Sequence, residues 1–279
     1  MNRYLKLVHW EIMRFWKLLA ALAIVTIVLQ CVGIIYETQR YTSQVEDQVQ
    51  MNNSTITAFV QQNGKLSFSE ALERAGLSFF ASIALCIGGL ALYVFFIWYK
   101  EWFGKNMFIY RLLMIPTARR NIYFAKLTAI LLFVLSLVAL QLVLLPLENG
   151  LYLLVGGDVL FKSSSIVDLI AGNRILMFLI PPTFADFVIY YGFGAIVVLI
   201  AFTAVLLERS YKLRGVLAAI LYLPAVAVFM MIPFLIPGNV TETYLYPAES
   251  FGIEIALGVI VTAFTVWLGL HLITKKVTV

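Results

Sequence analysis

LTAILLFVLSLVALQLVLLPL, residues 127–147, is a run of 21 residues without one Asp, Glu, Lys, Arg or His. At 1.5 Å of rise per residue, such a helix covers about 30 Å, the thickness of a bilayer's hydrocarbon core. Reading outward from it, five more runs of comparable length and apolarity occur at about 18–36, 78–99, 187–207, 215–236 and 253–273. The expected fold class is therefore all-α: a polytopic membrane protein with six transmembrane helices, forming one transmembrane domain over residues 1–279. The hydrophobic content of 62% and mean hydropathy of +0.94 exclude an ordinary soluble domain, whose apolar share is about 45–50%. No small-residue cleavage motif closes the first run, which is also too long for a signal-peptide core, so it is expected to act as a retained signal anchor.

The charges give the orientation. Of the 20 Lys and Arg, 15 fall on the two termini and on alternate connections, among them Arg3, Lys6, Arg14, Lys17, Lys100, Arg119, Arg120, Lys126, Arg209, Lys275 and Lys276. Arg40, Lys65, Arg74, Lys162 and Arg174 lie on the other face, which carries most of the acids. The positive-inside rule makes the first face cytoplasmic and leaves outer loops at about 37–77, 148–186 and 237–252. The expected setting is a bacterial plasma membrane with both termini cytoplasmic. The basic pI follows from this asymmetry beside anionic lipid and needs no nucleic-acid partner.

The span interiors exclude several chemistries. Ion-coupled transporters and pumps place an ionisable group near the membrane midplane, and none stands there. Lys126, Glu208 and His271 sit at inner span edges and Glu148, Asp186 and Glu254 at outer ones, where anchoring through side chains that reach water is the expectation. Thr26, Gln30, Ser82, Ser136, Gln141, Thr203, Thr262 and Thr265 read as helix–helix hydrogen bonders, and Gly88, Gly89, Gly192, Gly194 and Gly252 as sites of close helix packing. Cys31 and Cys86 lie within spans and read as packing residues. There is no zinc-binding His-Glu-x-x-His, no Gly-x-Ser-x-Gly elbow and no phosphate-binding Gly-x-x-x-x-Gly-Lys-Ser/Thr loop, so no catalytic, metal-binding or cofactor-binding residue is expected in this chain.

Two basic-side segments carry information. In residues 1–17, at 100° per residue, Tyr4, Leu5, Val8, Ile12, Phe15 and Trp16 share one face, while Arg3, Lys6, Arg14 and Lys17 share the other with Trp10. That pattern predicts an amphipathic helix lying in the headgroup region, anchored by Arg3, Lys6, Trp10, Arg14 and Lys17, the plainer alternative being a basic flank that only sets topology. The second segment, KEWFGKNMFIYRLLMIPTARRNIYFAK at 100–126, is too apolar for a solvated loop. Pro116 should stop a short helix and Thr117 cap the next. An apolar helix exposed at a surface calls for a partner.

LLMIPTARRNIYFAKL, residues 112–127, resembles an apolar-Leu-Pro-x-Ser/Thr-Arg-Arg run found in permease subunits of ATP-binding-cassette transporters of the type-2 exporter kind, with Ile115 standing where Leu is common and Ala118 where Ser or Thr is common. The resemblance implies an N-terminal connecting helix and a cytoplasmic coupling helix between spans two and three that docks on a separate ATPase. Carried onto this chain, Trp102, Phe103, Met107, Phe108, Tyr110, Arg111 and Leu112 would form that helix, flanked by Arg119 and Arg120, a pair that positive-inside anchoring alone also explains. The partners implied are two copies of a soluble ATPase, which would hold ATP and magnesium, and a second permease subunit. The expected function is export of an apolar or amphipathic cargo such as a peptide, lipid or drug. The alternative is a non-transporting immunity or signalling protein that binds a peptide through its outer loops.

Overall fold

The computed structural model describes residues 3–103, 118–235 and 247–276. Its elements in chain order are α1 (Arg3–Met51), α2 (Ile56–Asn63), β1 (Leu66–Ser67), α3 (Phe68–Arg74), α4 (Gly76–Phe103), α5 (Arg119–Gly156), β2 (Phe161–Lys162), α6 (Ile166–Gly172), α7 (Arg174–Leu179), α8 (Phe184–Tyr211), α9 (Leu213–Leu235), α10 (Pro247–His271) and a closing π-helical turn, Leu272–Lys276. Six of the helices are long and apolar enough to cross a membrane: α1, α4, α5, α8, α9 and α10. Each coincides with one of the six expected spans over all or nearly all of its length, so the chain is an all-α polytopic membrane protein.

Three of the boundaries differ from expectation. Residues 3–17 are not a separate element, because α1 runs unbroken for 49 residues. No proline occurs in this stretch and its one glycine is Gly33, so nothing interrupts the backbone ladder between the basic flank and the span. The same helix continues past Tyr36 into the region expected to be loop. It stops at a Schellman motif, where Asn53 takes a φ of +45° and Ser54 N–H donates to Val49 O at 3.0 Å. Likewise α5 passes through Pro146 to Gly156. Of the expected coupling helix, Trp102 and Phe103 form the last turn of α4; Met107, Phe108, Tyr110, Arg111, Leu112, Pro116 and Thr117 lie outside the described residues.

The chain divides into two compact units. The first comprises residues 1–13, 91–131 and 188–279, and the second residues 14–90 and 132–187. In the second unit the first two expected outer loops form a small folded cap. β1 pairs in parallel with β2, Leu66 opposite Phe161. Buried Phe68, Leu72, Phe79, Tyr152, Phe161, Leu169 and Leu176 make its core. Tyr152 stands edge-on to Phe161 with ring centroids 4.9 Å apart, and its hydroxyl donates to Leu66 O at 3.0 Å. A Cβ on Gly156 would lie 2.2 Å from the Phe161 ring, so glycine is what admits this ring. Side-chain caps start the short helices: Thr55, Ser67, Ser165 and Asn173 each accept from backbone N–H groups one turn ahead.

Inside the membrane-spanning part of this unit, Gln30, Ser82 and Gln141 join α1, α4 and α5. Gln30 donates to Ser82 Oγ at 2.8 Å and to Gln141 Oε1 at 3.0 Å, and Gln141 donates back to Gln30 Oε1 at 3.2 Å. Thr26 meets Cys86 Sγ at 3.0 Å. These are the interhelical bonds expected of polar residues in spans. Ser136 and Thr262, by contrast, bond back to carbonyls of their own helices, Leu132 and Gly258. The glycines also divide. A Cβ at Gly89 would meet Leu22 at 2.9 Å, whereas at Gly88, Gly192, Gly194 and Gly252 it would meet nothing within 4 Å, so among the described residues those four are not sites of close packing.

In the first unit, Trp98 of α4, Tyr123 of α5 and Phe202 of α8 form an aromatic centre, with Trp98–Phe202 centroids 5.5 Å apart and Tyr123–Phe202 5.6 Å. Thr203 donates to Thr265 O at 3.2 Å and Tyr222 meets the Thr265 hydroxyl at 3.0 Å, tying α8, α9 and α10 together. The turn from α8 to α9 is made at Lys212, which has a φ of +53°.

Candidate functional site

α4 ends and α5 begins on either side of the connection between spans two and three, and in the first unit the two flanks are locked by charge. Lys126 Nζ lies 2.6 Å from Glu101 Oε1, 2.7 Å from Glu11 Oε1 and 3.1 Å from Ile97 O. Its ammonium also sits 5.1 Å above the Trp98 ring. Three hydrogen-bond acceptors use all three N–H donors of the ammonium, and the ring face adds a cation–π contact. Lys126 and Glu101 are 0% exposed and Glu11 2%.

This corrects the reading of Lys126 as a span-edge anchor: the side chain never reaches water. A bare ammonium buried so completely would carry a large desolvation cost, which two carboxylates and a carbonyl offset. Two acids against one base leave the cluster with formal charge −1, and Glu11 Oε2 has no hydrogen-bond partner among the described residues. The helix register explains how α1 reaches it. Tyr4, Val8 and Glu11 fall on one face of α1; Val8 is buried, and the Tyr4 hydroxyl meets Thr128 Oγ1 at 2.5 Å. That face therefore lies on α5 within the first unit, while Arg3, Lys6, Trp10 and Lys17 are exposed and Arg14 is half-buried with its guanidinium 5.4 Å over Phe15.

A second polar group flanks the same connection. The Tyr99 hydroxyl donates to Glu208 Oε2, Arg209 pairs with Glu208 at 3.4 Å, and the Arg209 guanidinium lies 4.8 Å over Tyr99 and 5.8 Å over Trp102. Trp102, expected to face a partner, is thus covered in part by Arg209. The arginine pair splits: Arg119 donates to Ile273 O and Thr274 O, both at 3.2 Å, in the π-helical turn that follows α10, whereas Arg120 is exposed.

Glu148 is a second corrected edge residue. It is 0% exposed, and neither carboxyl oxygen has a hydrogen-bond partner among the described residues. On α5 it follows Gln141 and Leu145 and precedes Tyr152 on the face that builds the second unit's core.

The first unit also carries an open groove of about 490 Å³ bounded by α8, α9 and α10. Its lining is apolar, with Val188, Gly192, Phe193, Ile196, Met230, Phe251 and Gly258 among the wall residues and Glu254 as its one charged side chain among the described residues. The second unit carries a polar cleft of about 320 Å³ lined by Tyr41, Gln44, Gln48, Lys65, Glu70 and Arg74. Among the described residues, no group of three or more His, Cys, Asp and Glu is placed to hold a metal ion. No family model, curated protein or solved structure matches the chain.

Sequence reasoning missed the Lys126 cluster because its members are 115 and 25 residues apart. The one available signal was the pair of acids in otherwise basic segments, Glu11 and Glu101.

Proposed function

We propose that this chain is the membrane-spanning subunit of an ATP-driven exporter of the type-2 ATP-binding-cassette kind, acting as a dimer with itself or a similar subunit. Two copies of a soluble ATPase would bind ATP and magnesium and dock on the cytoplasmic connection between spans two and three. The observation that carries the reading is the lock at the base of that connection. With Lys126 bonded to both Glu101 and Glu11, force applied between α4 and α5 moves α1 as well, instead of dissipating at two loosely held helix ends. Coupling of this kind is what a transporter whose fuel is burned on another chain requires. The apolar groove bounded by α8, α9 and α10 supports an apolar or amphipathic cargo.

Purification of the tagged chain from native membranes in mild detergent tests this. A soluble ATPase carrying a phosphate-binding loop should be recovered in near-stoichiometric amount, and recovery of the chain alone across several detergents would overturn the proposal. The second reading, a peptide-binding immunity protein, is favoured by the polar cleft of the second unit. It requires that a peptide ligand protect Lys65 and Arg74 from modification with no ATPase present.

A further inference from the structure

We propose that the groove bounded by α8, α9 and α10 binds a cationic amphiphile, with the alkyl chain lying past Gly192 and Gly258 and the ammonium head held by Glu254. The inference rests on the transport reading only for its physiological meaning; the binding itself stands on the groove. Glu254, Gly258 and Thr262 recur every four residues, so they line one stripe of α10 about 12 Å long. Val188, Gly192 and Ile196 repeat the spacing on α8. At about 490 Å³ the space is that of a small-molecule site.

The two glycines keep it open. Among the described residues, a Cβ at Gly192 meets nothing within 4 Å and one at Gly258 meets only Ile196 Cδ1 at 3.9 Å, so neither is required by packing between these helices. The Thr262 hydroxyl donates to Gly258 O at 2.7 Å and has no proton left for a ligand. What remains to recognise a headgroup is the Glu254 carboxylate, with no cation lining the groove beside it among the described residues. An anionic amphiphile meets repulsion there, and a neutral acyl chain gains only the apolar walls, whereas an ammonium head satisfies both parts of the site.

The test uses the full chain in nanodiscs of zwitterionic lipid, with empty nanodiscs as the baseline. Saturable binding of radiolabelled dodecyltrimethylammonium is compared with that of dodecyl sulfate, which has the same chain and the opposite charge. Wild type should prefer the ammonium by about tenfold or more. Glu254→Gln should abolish the preference, and Gly192→Phe, which fills open space, should remove saturable binding of both. Equal affinities in wild type, as an ordinary lipid-chain groove would give, overturn the proposal. So does undiminished ammonium binding by either variant. No ATPase enters the assay, so a chain that binds the ammonium selectively yet recruits no ATPase refutes the exporter alone. One that recruits an ATPase without this selectivity refutes only the present inference.

Discussion

The ammonium of Lys126 lies 2.6 Å from a carboxylate oxygen of Glu101, and solvent reaches neither side chain. Removing one member of such a buried pair leaves a charge that nothing compensates, at a typical cost of about 3–5 kcal/mol. Lys126→Met should therefore lower stability by about that amount, because Glu11 and Glu101 then face each other without a counter-ion. Thermal unfolding followed with a thiol-reactive dye can report this through the free, half-buried Cys31 and Cys86. Adding Glu11→Gln and Glu101→Gln to the same chain should recover most of the loss. A melting temperature unchanged in Lys126→Met alone would show that the pair contributes nothing to stability.

Gln30 and Gln141 exchange hydrogen bonds in both directions, an arrangement in which each amide satisfies the other. A double-mutant cycle of Gln30→Leu and Gln141→Leu should give a favourable coupling of about 0.6–2 kcal/mol, the range for polar pairs between membrane helices. Strict additivity of the two substitutions would remove the interhelical bond as a stabilising interaction.

Gly156→Ala should destabilise the cap of the second unit by about 1–3 kcal/mol, since the added methyl must displace the Phe161 ring from its place against Tyr152. Gly88→Ala is the control. It meets nothing within 4 Å and should be neutral or stabilising by up to about 1 kcal/mol through helix propensity. Comparable losses in the two variants would mean that backbone freedom, and not the seat of Phe161, explains Gly156.

Arg119 and Arg120 should separate in experiment. Arg119→Ala removes donors from Ile273 O and Thr274 O and should cost about 1 kcal/mol, whereas Arg120→Ala should leave the melting temperature unchanged. On the exporter proposal, Arg120→Glu should reduce ATPase recovery without affecting insertion. Full recovery in that variant would take Arg120 out of the docking surface.

The spans were legible because a run such as 127–147 has one physical interpretation at that length. The helical extension at 37–51 was not. ETQRYTSQVEDQVQM lacks an apolar run of membrane length, and its hold on the cap comes from isolated residues such as Tyr41 and Val45 meeting Phe161 and its neighbours far along the chain. Lys126 and Glu148 were misjudged for the same reason. A charged residue at a span edge reads as an anchor when only its neighbours in sequence are known, and burial is decided by helices that arrive from elsewhere. Gly192 looked like a packing glycine, and only the vacant volume beside it shows otherwise.

The Lys126 cluster also sets a schedule for the chain's birth. Glu11 emerges from the ribosome 115 residues before its cation does. Throughout that interval it must stay in contact with water or headgroups, so the first turns of α1 cannot settle onto α5 while the nascent chain is being threaded into the bilayer. Synthesis past Lys126 supplies the missing charge, and a chain whose third span enters in the wrong direction leaves Glu11 and Glu101 without their lysine.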